Sequence, residues 1–181
     1  MSKAKVHSTV TVQDLGWDKI LKEHKDLDGF SVEAGLYGRG DNPRSNIAMR
    51  GFINEYGIRI DVTDKMRGYL HSIGLHLKAD TAVITIPSRP FMRDAFEKNH
   101  TLLMESISKW YGEVIEKKIE LKTFFDRIGV MMTEQIKNSI RDGGWVSNHP
   151  ITIEIKGSSR PLIDSGEMLE SVKYQVVRTV E

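Results

Sequence analysis

Between Leu121 and Arg141, apolar side chains return at steps of three and four: Phe125, Ile128, Met132, Ile136 and Ile140. That period places all five on one stripe of an α-helix, and Asp142-Gly-Gly144 supplies its stop. Upstream, Leu102, Leu103, Ile107, Trp110, Tyr111, Val114 and Ile115 mark a second long helix beginning after Asn99. Two amphipathic helices so close in sequence must bury their stripes against each other or against a sheet.

The remaining segments supply strands and shorter helices. Val6 to Val12 alternates Val with polar residues and reads as a short strand or an ordered arm; residues 1–12 are also short enough to form a flexible N-terminal arm. Trp17, Ile20, Leu21 and His24 share a helical face up to Lys25. Phe30 to Leu36 alternates as a strand does and runs into the turn formers Tyr37-Gly-Arg-Gly-Asp-Asn-Pro43. Ser45 or Asn46 is placed to cap a helix through Ile47, Ala48, Phe52, Ile53 and Tyr56, with Gly57 as its C-cap. Strand-like residues 58–62 and 82–86 flank a long hairpin-like excursion with some local structure, which makes 58–86 a projecting strand-loop-strand arm. Its apolar residues (Met66, Tyr69, Leu70, Ile73, Leu75 and Leu77) exceed what a free loop carries, so it packs on its own core or on a neighbour.

Pro87-Ser-Arg-Pro90 leads into a helix, with Pro90 suited to the first turn and Phe91, Ala95 and Phe96 as the buried face. Ile151, Ile153 and Ile155 alternate and favour a strand, although Thr152 could equally cap a helical turn. Arg160 to Glu167 forms a turn in which Asp164 or Ser165 caps a short helix, and Val172 to Val176 is a terminal strand. Helices and antiparallel strands interleave without a βαβ rhythm. The expectation is an α+β fold: one domain over residues 1–181, an antiparallel sheet packed on two long helices, with the arm projecting.

Several functional classes are disfavoured by composition. Twenty-six Lys and Arg stand against 25 Asp and Glu, so the net charge of +1 gives no global basic field for nucleic acid. With no cysteine there are no disulfides, no thiolate metal ligands and no thiol nucleophile. No apolar run suits a signal peptide or a membrane span, so a soluble protein made in the cytosol is expected.

Catalytic constellations are also lacking. The six histidines (His7, His24, His71, His76, His100 and His149) form no His-Glu-x-x-His spacing. His71 and His76, five apart on an expected loop, read as ordinary loop packing and not as metal ligands. Ile163-Asp-Ser-Gly166 is not a Gly-x-Ser-x-Gly elbow, and Tyr37-Gly-Arg-Gly-Asp41 lacks the later residues of a phosphate loop. Glu113, Glu116 and Glu120 with Lys117 read as a solvated helical face with stabilising pairs. Trp17, Trp110 and Trp145 are expected in the core or at an interface. No catalytic residue, metal ligand or cofactor is nominated, and an enzyme is not expected.

Three stretches carry a resemblance. They are Ile47-Ala-Met-Arg-Gly-Phe-Ile-Asn-Glu-Tyr-Gly57, Ile86-Pro-Ser-Arg-Pro-Phe-Met-Arg93, and Lys156-Gly-Ser-Ser-Arg-Pro-Leu-Ile-Asp-Ser-Gly166 followed by Met168-Leu-Glu-Ser-Val-Lys-Tyr174. In this order they resemble the tail-completion, or head–tail joining, family of tailed bacteriophages, whose members are often labelled minor tail or virion morphogenesis proteins. Ser165 stands where that family more usually has Thr. The resemblance covers most of residues 30–178, and the arm resembles one branch of the family.

The resemblance implies a structural protein of the virion neck that completes the tail and joins it to the DNA-filled head. The implied state is a homo-hexameric ring whose partners are its own copies, tail-tube or tail-terminator proteins and head-completion or connector proteins. DNA would pass through the lumen without specific binding, no membrane would be involved, and assembly would occur in the host cytoplasm. Candidate interface residues are Arg89, Phe91 and Arg93, because Arg suits planar interfacial pairing, and Met66, Tyr69, Leu70 and Leu75 on the arm. The competing reading of Pro87 to Arg93 is a helix entry in which Arg89 bonds a carboxylate of its own subunit. Rival functions are a tail terminator that stops tube growth and, from another class, a small nucleic-acid-binding or regulatory protein.

Overall fold

The computed structural model describes residues 29–38 and 46–178, together with residues 22, 25 and 27. The expected strand at 6–12 and the arm at 1–12 lie outside the described residues, as does most of the helix around Trp17, of which Lys22 and Lys25 are helical. The elements are β1 (Phe30–Leu36), α1 (Ile47–Tyr56), β2 (Ile58–Asp61), α2 (Asp64–Ser72), β3 (Val83–Ile86), α3 (Phe91–Ile115), α4 (Leu121–Asp142), α5 (Pro150–Lys156), α6 (Glu167–Ser171) and β4 (Val172–Arg178). The class is α+β.

The frame is a helical hairpin of α3 and α4. At one end Phe91 and Ala95 of α3 pack with Ile136 and Ile140 of α4; at the other, Leu103 and Val114 pack with Phe124, Phe125 and Ile128. The pairing of early α3 with late α4 makes the two helices antiparallel. Glu113 and Arg127 join them across the hairpin at 2.6 Å, so Glu113 is not part of a purely solvated face. The break expected after Asn99 does not occur, and α3 runs unbroken through it. Asn99 donates its side-chain amide to the Ala95 carbonyl at 2.8 Å, which satisfies the polar group inside the helix.

Strands β1 and β4, the first and last of the described chain, pair antiparallel from Phe30↔Arg178 to Leu36↔Val172 and lie on α4. Close approach is possible because Gly129 has no side chain: a Cβ there would stand 2.1 Å from the Tyr174 ring. The Tyr174 hydroxyl donates to Asp126 at 3.2 Å, and burial together with that bond raises its pKa. The single sheet expected is in fact two ladders, because among the described residues β2 and β3 pair with each other alone, in the arm.

Residues 150–156 form a helix and not the strand favoured by Ile151, Ile153 and Ile155. Pro150 pre-sets the first turn, the His149 ring accepts from the Ile151 N–H, and Gly157 ends the helix at φ 65°. Gly166, at φ 86°, occupies the cap position of α6, while Ser165 Oγ accepts from the Glu167 N–H at 3.4 Å. Trp145 packs on the core and donates its indole N–H to Ser139 O at 2.8 Å, and Trp110 packs on the second cluster. Trp17 lies outside the described residues.

Candidate functional site

Helix α1 starts where Asn46 accepts the Met49 N–H at 3.1 Å, and ends at Gly57, whose φ of 72° suits glycine. A Cβ on Gly57 would also meet Ser88 N at 2.8 Å and Ile86 O at 2.9 Å, so the end of α1 and the entry to α3 approach backbone to backbone. This close approach sets Asn54 and Glu55 against the first turn of α3.

Pro90 stands at the cap position of α3, one residue before the expected first turn, and gives it no side-chain cap. Glu55, only 4% exposed, takes over that role from another helix. Its carboxylate accepts the Met92 N–H at 2.9 Å, the Arg93 N–H at 3.1 Å and Arg93 Nε at 3.0 Å. A carboxylate is favoured there by the helix dipole and by charge-assisted bonds, which offset its desolvation. Arg93 closes the clasp by donating Nη2 to the Glu55 carbonyl at 3.0 Å and lying 5.0 Å over the Tyr56 ring.

Arg89 is 4% exposed and reaches the other way. Its Nε donates to Val146 O at 2.9 Å, Nη1 to Asn54 Oδ1 at 3.1 Å, and Nη2 to Asn148 Oδ1 at 3.1 Å. The expected carboxylate partner is absent from this set; neutral oxygens hold the guanidinium, and burial lowers its pKa. Arg89 therefore ties the chain after α4 to α1. Asn148 continues the connection by donating to Arg160 O at 3.3 Å, while Leu162 and Ile163 pack on the core around Phe91. Arg50 of α1 pairs with Glu167 of α6. All three motif stretches thus meet at one junction.

Two of the candidate interface residues are corrected by this geometry. Arg89 and Phe91, the latter with no exposed surface, are consumed inside the subunit and offer no contact face. Burial of Phe91 follows from its place between α1, α3 and α4, and that of Arg89 from the bonds its three guanidinium nitrogens make to Val146, Asn54 and Asn148. Arg93 retains an exposed side chain. On the arm, Met66, Leu70 and Leu75 are half-buried and Tyr69 is 64% exposed.

The arm is held by local bonds. Thr63 caps α2 by accepting the Met66 N–H at 3.2 Å, and Arg67 donates to Lys78 O at 2.8 Å and Thr81 O at 2.7 Å. Helix α2 buries no residue, and neither it nor the β2–β3 ladder makes a substantial contact with a body element. The question of self-packing divides by residue: Met66, Leu70 and Leu75 are partly covered, whereas Tyr69 and Ile73 face outward.

A second apolar face lies on the body, and it includes Phe96, which was expected on a buried helix face. Phe52 (60% exposed), Tyr56 and Phe96 are exposed. The Phe52 and Tyr56 rings meet with centroids 4.8 Å apart and planes tilted by 43°, beside a groove of about 470 Å³ between β1, α1 and the start of α3. Met49, Phe52 and Tyr56 follow helical spacing, and that signal could have revealed a separate outward stripe. Glu55 was legible as part of a motif, but nothing local in the sequence marks it as a cap for α3.

Among the described residues no three His, Asp or Glu side chains gather as a metal cluster. No helix of the described chain is long and apolar enough to cross a membrane. Compared with protein-family models, curated proteins and solved structures, the chain matches none.

Proposed function

We propose that this chain is a structural subunit of a tailed bacteriophage's neck, completing the tail and joining it to the DNA-filled head as one member of a ring. The observation that carries the reading is the convergence of the three family-like motifs. Asn54 and Glu55 of the first hold Arg89 and Arg93 of the second, and Arg160 to Ile163 of the third close over the same core.

The two outward apolar faces support the same reading. A closed ring needs a heterologous contact between two different patches of the chain. Tyr69 and Ile73 on the arm and Phe52 and Tyr56 on the body are such separate patches. The partners in this reading are further copies of the chain, tail-tube or terminator proteins, and head-completion proteins. DNA crosses the lumen without specific contacts, and the protein resides in the virion.

Electron microscopy of particles from a phage lacking this gene tests the proposal. The expected result is filled heads beside separate tails of normal length. Tails of uncontrolled length would move the chain to the terminator role, and intact infectious virions would refute both.

A further inference from the structure

Near the tip of the arm, the end of α2 and the turn after it bring two imidazoles together. His71 lies in the last turn of α2. The chain then reverses through Gly74, at φ 84°, and the Leu75 N–H returns to the Leu70 carbonyl at 2.8 Å. This fold-back sets His76 Nδ1 2.7 Å from His71 Nδ1, with the ring centroids 4.5 Å apart and the planes inclined at 66°. Both residues are exposed.

We propose that His71 and His76 form a two-imidazole site for a divalent transition metal ion, with zinc as the representative. At this distance the two ring nitrogens share a hydrogen bond, which a bridging cation can replace once the pair opens slightly. Imidazole nitrogen is a preferred ligand for zinc, nickel and copper. Zinc–nitrogen bonds of roughly 2.0–2.1 Å at a tetrahedral angle hold two ligand atoms about 3.3 Å apart. The pair therefore needs to open by only about 0.6 Å, a small side-chain rotation for exposed residues on an otherwise lightly packed element. Coordination through Nδ1 leaves each Nε2 protonated and facing solvent, which costs nothing at an exposed site.

No third His, Asp or Glu among the described residues joins the pair, so two coordination positions stay open to water or to a ligand from outside the chain. The bound ion closes a ring from the end of α2 to the strand-side segment and fixes the turn at residues 73–75. The inference is independent of the neck reading, because it concerns the free chain.

The test is calorimetric titration of the full chain with zinc chloride in metal-free buffer, with the imidazole signals followed by NMR. The expected result is saturable binding that shifts the His71 and His76 resonances. His71→Ala and His76→Ala should each weaken that binding by about tenfold or more while leaving the circular dichroism unchanged. His100→Ala, which removes the exposed imidazole beside Phe96, should leave zinc binding as it was. No saturable binding, or zinc binding of unchanged affinity in both arm variants, overturns the proposal.

Discussion

The junction of α1 with α3 and the arm at 58–86 are neighbours in sequence, joined through Gly57 and Pro87, yet they are held together by different physics. At the junction, Phe91, Glu55 and Arg89 are almost completely buried, and the Glu55 carboxylate and the Arg89 guanidinium both bond to residues outside their own segments. In the arm, α2 buries no residue, and its bonds are those of caps, turns and a short ladder. A buried, cross-linked region resists substitution because apolar contacts and hydrogen bonds fail together. A locally bonded projection contributes little to global stability and is free to be used as a contact surface.

Three changes would break or sharpen this contrast. The largest loss is expected for Phe91→Ala, which empties the most buried side chain of the chain's first cluster. Unfolding in urea should show a cost of about 3–5 kcal/mol; a loss below that of a surface change would mean the junction is not the stable region. Next is Glu55→Gln, which keeps an oxygen for one α3 N–H but removes the charge facing Arg93. A cost of about 1–3 kcal/mol is expected in the same experiment, and an unchanged midpoint would show that the carboxylate is not the clasp.

The smallest effect on stability is expected from removing the arm tip. Asp61↔Val83 is the last ladder pair, and the Val62 N–H bonds to Ala82 O at 2.8 Å, so residues 62 and 82 can close a two-residue hairpin. Deleting residues 64–80 with Thr63→Asn and Thr81→Gly supplies the Asn-Gly turn such a hairpin favours. The body should melt within about 0.5 kcal/mol of the full chain's stability, while analytical ultracentrifugation shows no self-association. An unfolded product would erase the distinction between the two regions, and ring formation without the tip would move the contact surface elsewhere.

Much of the architecture was legible locally. The stripe from Phe125 to Ile140 predicted α4, the alternation in Phe30–Leu36 and after Val172 predicted the ladder strands, and Asn46 and Gly57 marked both ends of α1. Local signals failed where two patterns competed. Ile151, Ile153 and Ile155 read as a strand by alternation, but the flanking Pro150 and Gly157 enforce helix ends, and no ladder partner is present among the described residues. The expected break after Asn99 was lost because a side-chain bond to the preceding turn keeps Asn99 within the helix.

Helix α1 shows most sharply where sequence alone stopped. Its sequence fixed a helical period, and that period offers two stripes: Met49, Phe52 and Tyr56, or Ile47, Gly51 and Glu55. Hydrophobicity favours the first, yet the second is buried. Only the tertiary structure could decide, because Gly51 lets Leu36 come so close that a Cβ there would stand 2.1 Å from its side chain. Glu55, in turn, becomes a core residue only when the unsatisfied N–H groups of Met92 and Arg93 arrive from another helix. Periodicity, capping residues and turn formers act over a few residues, so the chain itself set the elements and their ends. Which face is inside, and which carboxylate caps which helix, depends on partners dozens of residues away, and packing alone brings those together.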